Sequence, residues 1–343
     1  MGYIDLNKLS LNKLSSTNIG IIIPIIIALF NVFLIRNPTE MITASREGLL
    51  LWFNQVLPTL LPFVVGVNML AGLGFIHFMG ALAAPVMIPI FNVPGAGAFA
   101  LLTGLTSGYP MGAKAVAHLR KTGQVNRQEA QRLMAFTNNA GPLFVIGFVG
   151  AGLFGSVSIG YTLLLSHITA AMILGIVSRF TYTGVSHGDR GAAIKHDGSN
   201  IKSAFEKYQE FRREHYKGFG QVLGSSIKNA MESMVLVGGF IIVFCVVIKT
   251  LELVGLFNIL GQSSGVAAGL LEVANGAKIL AGGGPPNPAV LASVSGIVSF
   301  GGFSVHGQTA HFIRGTDIRF APYLLAKCVQ ALIAGVLCYL FVI

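Results

Sequence analysis

The stretch that decides the fold is "GLTSGYPMGAKAVAHL", residues 104–119, in which the polar break "SGYP" (107–110) separates two apolar arms. The arms, 97–107 and 111–119, are each too short to cross a hydrocarbon core, which takes about 20 residues. A break inside lipid leaves backbone N–H and C=O groups unpaired unless they face protein, water or a ligand. We therefore predict a re-entrant hairpin over residues 97–119.

The composition around this stretch is that of a polytopic membrane protein. Of the 343 residues, 53% are hydrophobic and only 10% are charged, whereas soluble domains carry about 25% charged residues. The net charge of +10 is concentrated in short loops between apolar segments. This pattern is typical of cytoplasmic loops and does not indicate a nucleic-acid-binding surface. The predicted surroundings are therefore a lipid bilayer, with no nucleic acid partner.

The first apolar run, residues 19–35, follows two lysines and could be mistaken for a signal peptide. It is long, and "RNP" (36–38) follows it in place of a small-residue cleavage site. We interpret it as a retained first helix with a cytoplasmic N-terminus, within an N-terminal segment of residues 1–45. The three cysteines lie in apolar segments without paired spacing, so the sequence predicts neither a disulfide framework nor a zinc site.

The order of segments recurs in the second half of the chain. A first repeat, residues 46–180, is predicted to contain a long helix, a short segment, a hairpin, a broken helix and a closing helix, at 48–75, 78–92, 97–119, 128–155 and 158–178. A second repeat, residues 221–343, is predicted to contain the same order at 224–249, 251–260, 262–283, 289–312 and 321–342. The tripeptide "GAK" occurs at 112–114 and again at 276–278, which aligns the two hairpins.

The positive-inside rule orients these segments. The hydrophilic loop 181–220 is placed in the cytoplasm. The basic turn 120–132 of the first repeat and Arg314 and Arg319 of the second then lie on the same side, and the neutral turn "GGGPPNP" (282–288) lies outside. The repeats are therefore inverted relative to each other. We predict an all-α polytopic membrane protein with an inverted repeat, re-entrant hairpins and broken helices, which is the architecture of secondary transporters.

Breaks in membrane helices create binding sites, because a half-helix N-terminus presents free N–H groups and a positive dipole end to an anion. The breaks of the two broken helices are predicted at "TNNAGP" (137–142) and "SFGGFSVHGQ" (299–308), and that of the second hairpin at 272–275. The candidate substrate-binding residues lie at or just after a break: Ser107, Gly108, Tyr109, Lys114, Asn138, Asn139, Glu272, Asn275, Lys278, Ser304, His306 and Gln308.

Each charged candidate also has a simpler interpretation. Lys114 either binds substrate or extends its ammonium group to the membrane interface. Glu272 either pairs with Lys278 or binds a proton or cation. His306 either contacts substrate or satisfies local backbone groups, and the other histidines considered are interpreted as structural or interfacial: His77, His118 and His167.

Enzyme motifs are weak in this sequence. "GAGLFG" (150–155) matches a dinucleotide-binding pattern, but no strand precedes it, so helix packing is the better interpretation. We predict no catalytic residues, no metal site and no cofactor, and leave the coupling ion open.

At "SGYPMGAK", "FTNNAGPLF" and "SFGGFSVHGQ" the sequence resembles the sporulation integral membrane protein family of the YlbJ or SpoVV type, which belongs to the group with nucleoside-recognition Gate domains. The resemblance extends from about Arg46 to the C-terminus. The repeat also resembles the core of concentrative nucleoside transporters. The family resemblance implies transport of dipicolinic acid across the outer forespore membrane, derived from the mother cell, of an endospore-forming bacterium. A dicarboxylate is also the ligand class that Lys114 and Lys278 would fit.

Two further functions stay open at this stage. One keeps the transporter fold but moves a nucleoside or related metabolite. Glu272 is the one acid in the two predicted hairpins, which argues against nucleoside–cation symport. The other is a non-transporting membrane sensor or assembly partner that acts through the loop 180–217. Homo-oligomer formation is also left open.

Overall fold

A computed structural model describes residues 11–181, 205–206, 208–210, 213 and 218–343. Every regular element in these ranges is helical. The first half contains α1 (Leu11–Arg36), α2 (Pro38–Gly72), α3 (Phe75–Phe91), α4 (Gly97–Ser107), α5 (Met111–Lys121), α6 (Arg127–Thr137), α7 (Leu143–Leu153) and α8 (Val157–Ser178). The second half contains α9 (Phe219–Leu253), α10 (Leu256–Leu260), α11 (Ser264–Leu271), α12 (Val273–Gly282), α13 (Pro288–Phe300), α14 (Gly302–Ile313) and α15 (Phe320–Val342).

The all-helical membrane architecture is confirmed. Within the described residues, five helical segments are long and apolar enough to cross a membrane: α2, α8, α9, α13 with α14, and α15. Helices α4 and α5 form hairpin 1, and α11 and α12 form hairpin 2. Helices α6 and α7 form broken helix 1, and α13 and α14 form broken helix 2. Most of the loop 181–220, including the surface helix expected over 201–217, lies outside the described residues.

Two breaks are narrower than the sequence predicts. Broken helix 2 leaves helical geometry at Gly301 and Gly302, whose φ angles are +93° and +75°, and not over the whole of 299–308. Two consecutive glycines suffice because both adopt the left-handed region without a Cβ clash. In hairpin 2 only Glu272 is extended, and its side chain caps α12 by accepting a hydrogen bond from the Asn275 backbone N–H at 2.9 Å.

Helix α2 begins ten residues before the predicted Gly48 and runs without interruption to Gly72. A wide π-helical turn over Trp52–Val56 precedes Pro58. Proline has no backbone N–H to donate to the preceding turn, and a widened turn is one way in which a helix accommodates it.

Small residues bring the helices together, as is common in membrane proteins. A Cβ atom added to Gly150 of α7 would lie 2.5 Å from the Gly160 Cα of α8, so the two backbones are in contact. This contact supports helix packing as the role of the motif over 150–155. Large apolar side chains such as Leu325 and Leu332 point outwards from α15, as a lipid-facing surface requires.

Polar contacts join the base of hairpin 1 to the turn between α14 and α15. Arg120 binds both carboxylate oxygens of Asp317 at 2.8 Å, and these hydrogen bonds hold the pKa of Asp317 below its usual value. Gln131 of α6 donates to the Arg319 carbonyl at 3.0 Å and accepts from its N–H at 2.9 Å. The two halves of the chain are therefore connected at this end of the molecule.

Candidate functional site

The hairpin tips and the broken helices meet at a small central cavity of about 60 Å³. Each of these four elements contributes to its wall: Gly108 and Tyr109 from hairpin 1, Gly141 from the break of broken helix 1, Glu272 to Ala274 from hairpin 2, and Ser304, Val305 and Gln308 from broken helix 2. Side chains of α2 and α9 complete the wall. The meeting of helix breaks that the sequence predicts therefore occurs in the structure.

The central cavity is lined by polar atoms that lack partners. The Tyr109 hydroxyl and the Gln308 carbonyl oxygen Oε1 are buried and form no hydrogen bond. Leaving such an atom unsatisfied costs about 1–3 kcal/mol. The two unpaired groups can donate to or accept from a polar ligand that enters the cavity.

Glu272 supplies the acidic group of this cavity. The residue is 4% exposed, and its Oε2 accepts from the Asn275 N–H and from the Asn275 side-chain amide, both at 2.9 Å. Lys278, by contrast, is exposed and borders neither the central cavity nor the larger cleft described next. The ion pair between Glu272 and Lys278 that the sequence leaves open does not form.

A larger cleft of about 1140 Å³, which we call the vestibule, lies between α2, hairpin 1 and α9. Its lining follows hairpin 1 from the tip at Ser107 to the base at Thr122. Just over half of its lining residues are polar or charged. The vestibule is therefore a cleft with both polar and apolar walls that leads to the hairpin tip.

Lys114 is the charged group of hairpin 1 in the vestibule. Its Nζ donates to the Ser233 hydroxyl at 2.7 Å and to the Asn229 carbonyl at 3.4 Å. The ammonium group also lies 5.7 Å from the centre of the Phe312 ring. A carboxylate in the vestibule would find a positive charge here that forms no ion pair within the described residues.

The side chain of Asn138 organises a buried polar network at the break of broken helix 1. Its amide donates to the Tyr323 hydroxyl at 2.8 Å and to the Thr309 hydroxyl at 3.1 Å, and its Oδ1 accepts from the Ala113 N–H at 3.4 Å. The Tyr323 hydroxyl also lies 3.1 Å from His306 Nδ1. The network therefore joins hairpin 1, broken helix 2 and α15.

The same break is held by side chains that the sequence analysis does not single out. Lys327 donates to the Asn138 carbonyl at 2.7 Å and to Gln330 at 2.6 Å, and Gln330 in turn donates to the Asn139 side chain at 3.1 Å. Lys327 and Gln330 lie in "AKCVQ" (326–330) of an apolar helix. A charged residue inside a membrane helix is itself a signal of function, so Lys327 could have been found from the sequence.

His167 of α8 connects the two breaks in a fixed neutral tautomer. Its Nε2 accepts from the Ala140 N–H at 3.0 Å, so Nδ1 must carry the proton that is shared with the Ser299 hydroxyl at 2.8 Å. This supports the structural role expected for His167.

The structure thus divides the predicted residues among three environments. The central cavity is lined by Gly108, Tyr109, Glu272, Ser304 and Gln308. The vestibule is lined by Ser107 and Lys114. The buried network contains Asn138, Asn139 and His306. Asn275 supports Glu272, and Lys278 lies outside all three. The two lysines do not share a cavity.

The family Gate, described as nucleoside recognition, matches residues 53–178. The sporulation integral membrane protein YlbJ of Bacillus subtilis (strain 168) is 34% identical over 339 residues, which cover 93% of this chain and 83% of the relative. These matches are to membrane proteins and not to enzyme families. No solved structure matches, so the resemblance to the concentrative nucleoside transporter core stays a prediction.

Proposed function

This chain belongs to the family of the sporulation integral membrane protein YlbJ, and from that membership we propose that it transports a small organic anion across a membrane. The observation that carries the proposal is the position of the hairpin 1 tip. Ser107 lines the vestibule, whereas the next two residues, Gly108 and Tyr109, line the central cavity. The tip of hairpin 1 therefore lies between the vestibule and the central cavity.

The tip of hairpin 1 can act as a gate because it borders both cavities and packs closely against broken helix 1. Gly108 has a φ angle of +78° and lies so close to the break of broken helix 1 that an added Cβ would be 2.7 Å from the Gly141 nitrogen. The central cavity has room for roughly two water molecules at about 30 Å³ each. A ligand the size of an aromatic acid would enter only if the tip of hairpin 1 moved away from Gly141.

We propose alternating access through movement of the first repeat, residues 46–180, against the inverted second repeat, residues 221–343. In this scheme the N-terminus and the loop 181–220 face the cytoplasm. The contacts between the base of hairpin 1 and the turn before α15 join the two repeats and would form the hinge of this movement.

Dipicolinic acid is the first candidate substrate, moved across the outer forespore membrane during sporulation. Lys114 supports an anion, because its charge faces the vestibule and forms no salt bridge within the described residues, although Glu232 of α9 lines the same vestibule and interacts with it electrostatically. The name of the YlbJ relative supports a role in sporulation. Because Lys278 is exposed and borders neither cavity, Lys114 is the lysine that we propose for recognising a carboxylate in the vestibule.

A nucleoside is the second candidate, and the central cavity favours it. Glu272, Ser304, Gln308 and the Tyr109 hydroxyl offer hydrogen-bonding groups and a negative charge, which suit a neutral polar ligand better than a dianion. The match to a family described as nucleoside recognition points the same way.

The deciding experiment is ligand-dependent thermal stabilisation of the full chain in detergent, with dipicolinate, uridine and benzoate tested in parallel. A ligand that binds only the folded state raises the melting temperature. At a ligand concentration of 100 times the Kd, it increases the free energy of unfolding by about 2.7 kcal/mol. We expect a saturable shift with dipicolinate and none with benzoate or uridine. A shift with uridine alone would establish the second candidate, and a flat response to dipicolinate contradicts the first.

Replacing Lys114 with methionine should weaken dipicolinate binding roughly 10- to 100-fold, because hydrogen bonds to charged groups contribute about 1.5–3 kcal/mol. The matched control is Lys278→Met, which removes an exposed lysine at the corresponding place in hairpin 2 and should leave binding unchanged. Isothermal titration and uptake into proteoliposomes measure the two variants. Equal losses in both, or no loss in Lys114→Met, would show that Lys114 does not bind the anion.

A further inference from the structure

One lysine is buried at the centre of the membrane-spanning bundle. Lys327 of α15 is 1% exposed. Its Nζ contacts two oxygen atoms, the Asn138 carbonyl at 2.7 Å and Gln330 Oε1 at 2.6 Å. The ammonium group of Lys327 therefore lies at the break of broken helix 1.

This ammonium group has no carboxylate partner in the described part of the chain. The ion pairs of Arg120 with Asp317 and of Lys249 with Glu252 do not involve it. Burying a charge without its counter-charge costs several kcal/mol. Some feature of the break must offset that cost.

The C-terminal end of α6 supplies the compensation. The helix ends at Thr137, and the carbonyl that contacts Lys327 belongs to the next residue, Asn138. A helix C-terminus has unpaired carbonyls and a partial charge of about −0.5. Gln330 Oε1 adds a second oxygen, and it is held in place because the Gln330 amide donates to Asn139 Oδ1 at 3.1 Å.

Carbonyl oxygens at an interrupted helix, together with an amide oxygen, are the ligands that membrane proteins use for monovalent cations. We propose that the Lys327 ammonium group is a built-in substitute for such a cation, so that broken helix 1 keeps its shape without binding sodium or potassium at this break. The role of Lys327 at the break does not depend on the proposed transport function. Its consequence does: if the protein is a transporter, transport needs no metal ion at this break.

The arrangement belongs to one half of the molecule. The hairpins align with an offset of 164 residues and the broken helices with one of 163, which places Leu163 or Leu164 of α8 at the position equivalent to Lys327. Both leucines pack in an apolar cluster with Val298. The corresponding break, at Gly301 and Gly302, is formed by glycine conformation instead. A single substitution therefore removes the internal charge.

The test compares two variants that both remove the charge but differ in the space they leave. Lys327→Ala opens a void beside the Asn138 carbonyl that a small hydrated cation can enter. Lys327→Met has nearly the same length as lysine and fills that void. The melting temperature of each full-length variant is measured in sodium, potassium, methylammonium and choline chlorides at equal ionic strength, with wild type alongside.

We expect both variants to melt below wild type in choline chloride, because choline is too large to enter. Sodium, potassium or methylammonium should raise the melting temperature of Lys327→Ala by roughly 2–4 °C, the shift that about 1 kcal/mol produces in mid-sized domains. Lys327→Met and wild type should show no such difference between salts.

A Lys327→Ala protein that responds equally to all four salts would identify Lys327 as a structural cap and overturn the proposal. The proposal would also be overturned if the wild-type protein melts at a higher temperature in sodium than in choline and Lys327→Met does not. That result would mean that the wild-type protein binds sodium at this break. Should Lys327→Ala not fold, Lys327→Ser gives a similar void and is read in the same way. No substrate is used, so failure of dipicolinate as the ligand leaves this result interpretable.

Discussion

Replacing Gly104 with alanine is expected to abolish the packing of hairpin 1 and to destabilise the protein by about 3 kcal/mol or more. An added Cβ would lie 1.6 Å from the Thr137 carbonyl oxygen, which is a backbone atom at the end of α6 and cannot rotate away. Gly112 of α5 approaches the same oxygen, at 2.1 Å from an added Cβ. Both arms of the hairpin therefore contact the break of broken helix 1 through glycine.

The matched control is Gly66→Ala. Gly66 lies in α2, also within a helix, but an added Cβ meets no atom within 4 Å. Alanine there should be neutral or slightly stabilising, since glycine is the poorer helix former by about 1 kcal/mol. Melting temperature and the monodisperse fraction in detergent measure both variants. A Gly104→Ala protein as stable as Gly66→Ala would mean that hairpin 1 does not pack on broken helix 1 as described.

Replacing Asn138 with alanine is the second change expected to have a large effect. It removes the hydrogen bonds to Thr309, Tyr323 and the Ala113 N–H together. Each buried group left without a partner costs about 1–3 kcal/mol, so we expect a loss of about 3 kcal/mol or more. Because the network spans hairpin 1, broken helix 2 and α15, unfolding should also become less cooperative.

Asn258→Ala is the control for this substitution. Asn258 lies in the short helix α10 and is exposed, so its replacement should change the melting temperature little. Thermal unfolding followed by intrinsic fluorescence and by circular dichroism measures both properties in the two variants. Coincident transitions with an unchanged midpoint in Asn138→Ala would contradict the assignment of Asn138 as the centre of the network.

Much of the fold was predictable because polar interruptions of apolar segments have few interpretations in lipid. The break at 107–110 and the break at 137–142 both occur where the sequence places them. Boundaries were less accurate where glycine alone makes the turn. At Gly301 and Gly302 the surrounding polar residues suggested a long irregular stretch, but Ser304, His306 and Gln308 lie on a regular helix and face the protein interior.

The grouping of the site residues was not predictable in the same way. Lys114 and Lys278 follow their breaks at equivalent sequence positions, yet one lines the vestibule and the other is exposed. The difference depends on what packs beside each hairpin, and periodicity carries no information about that. Ser107 and Gly108, although adjacent in sequence, likewise border different cavities.

The hydrogen bond between Lys327 and the Asn138 carbonyl joins residues 189 positions apart, and this separation has a consequence for biosynthesis. At about 5–20 residues per second, a ribosome needs about 10–40 s to reach the lysine after the asparagine has been made. During that interval broken helix 1 lacks the hydrogen bond from Lys327 to its Asn138 carbonyl. A chain that stops before the last helix would lack the Lys327 hydrogen bond to the Asn138 carbonyl.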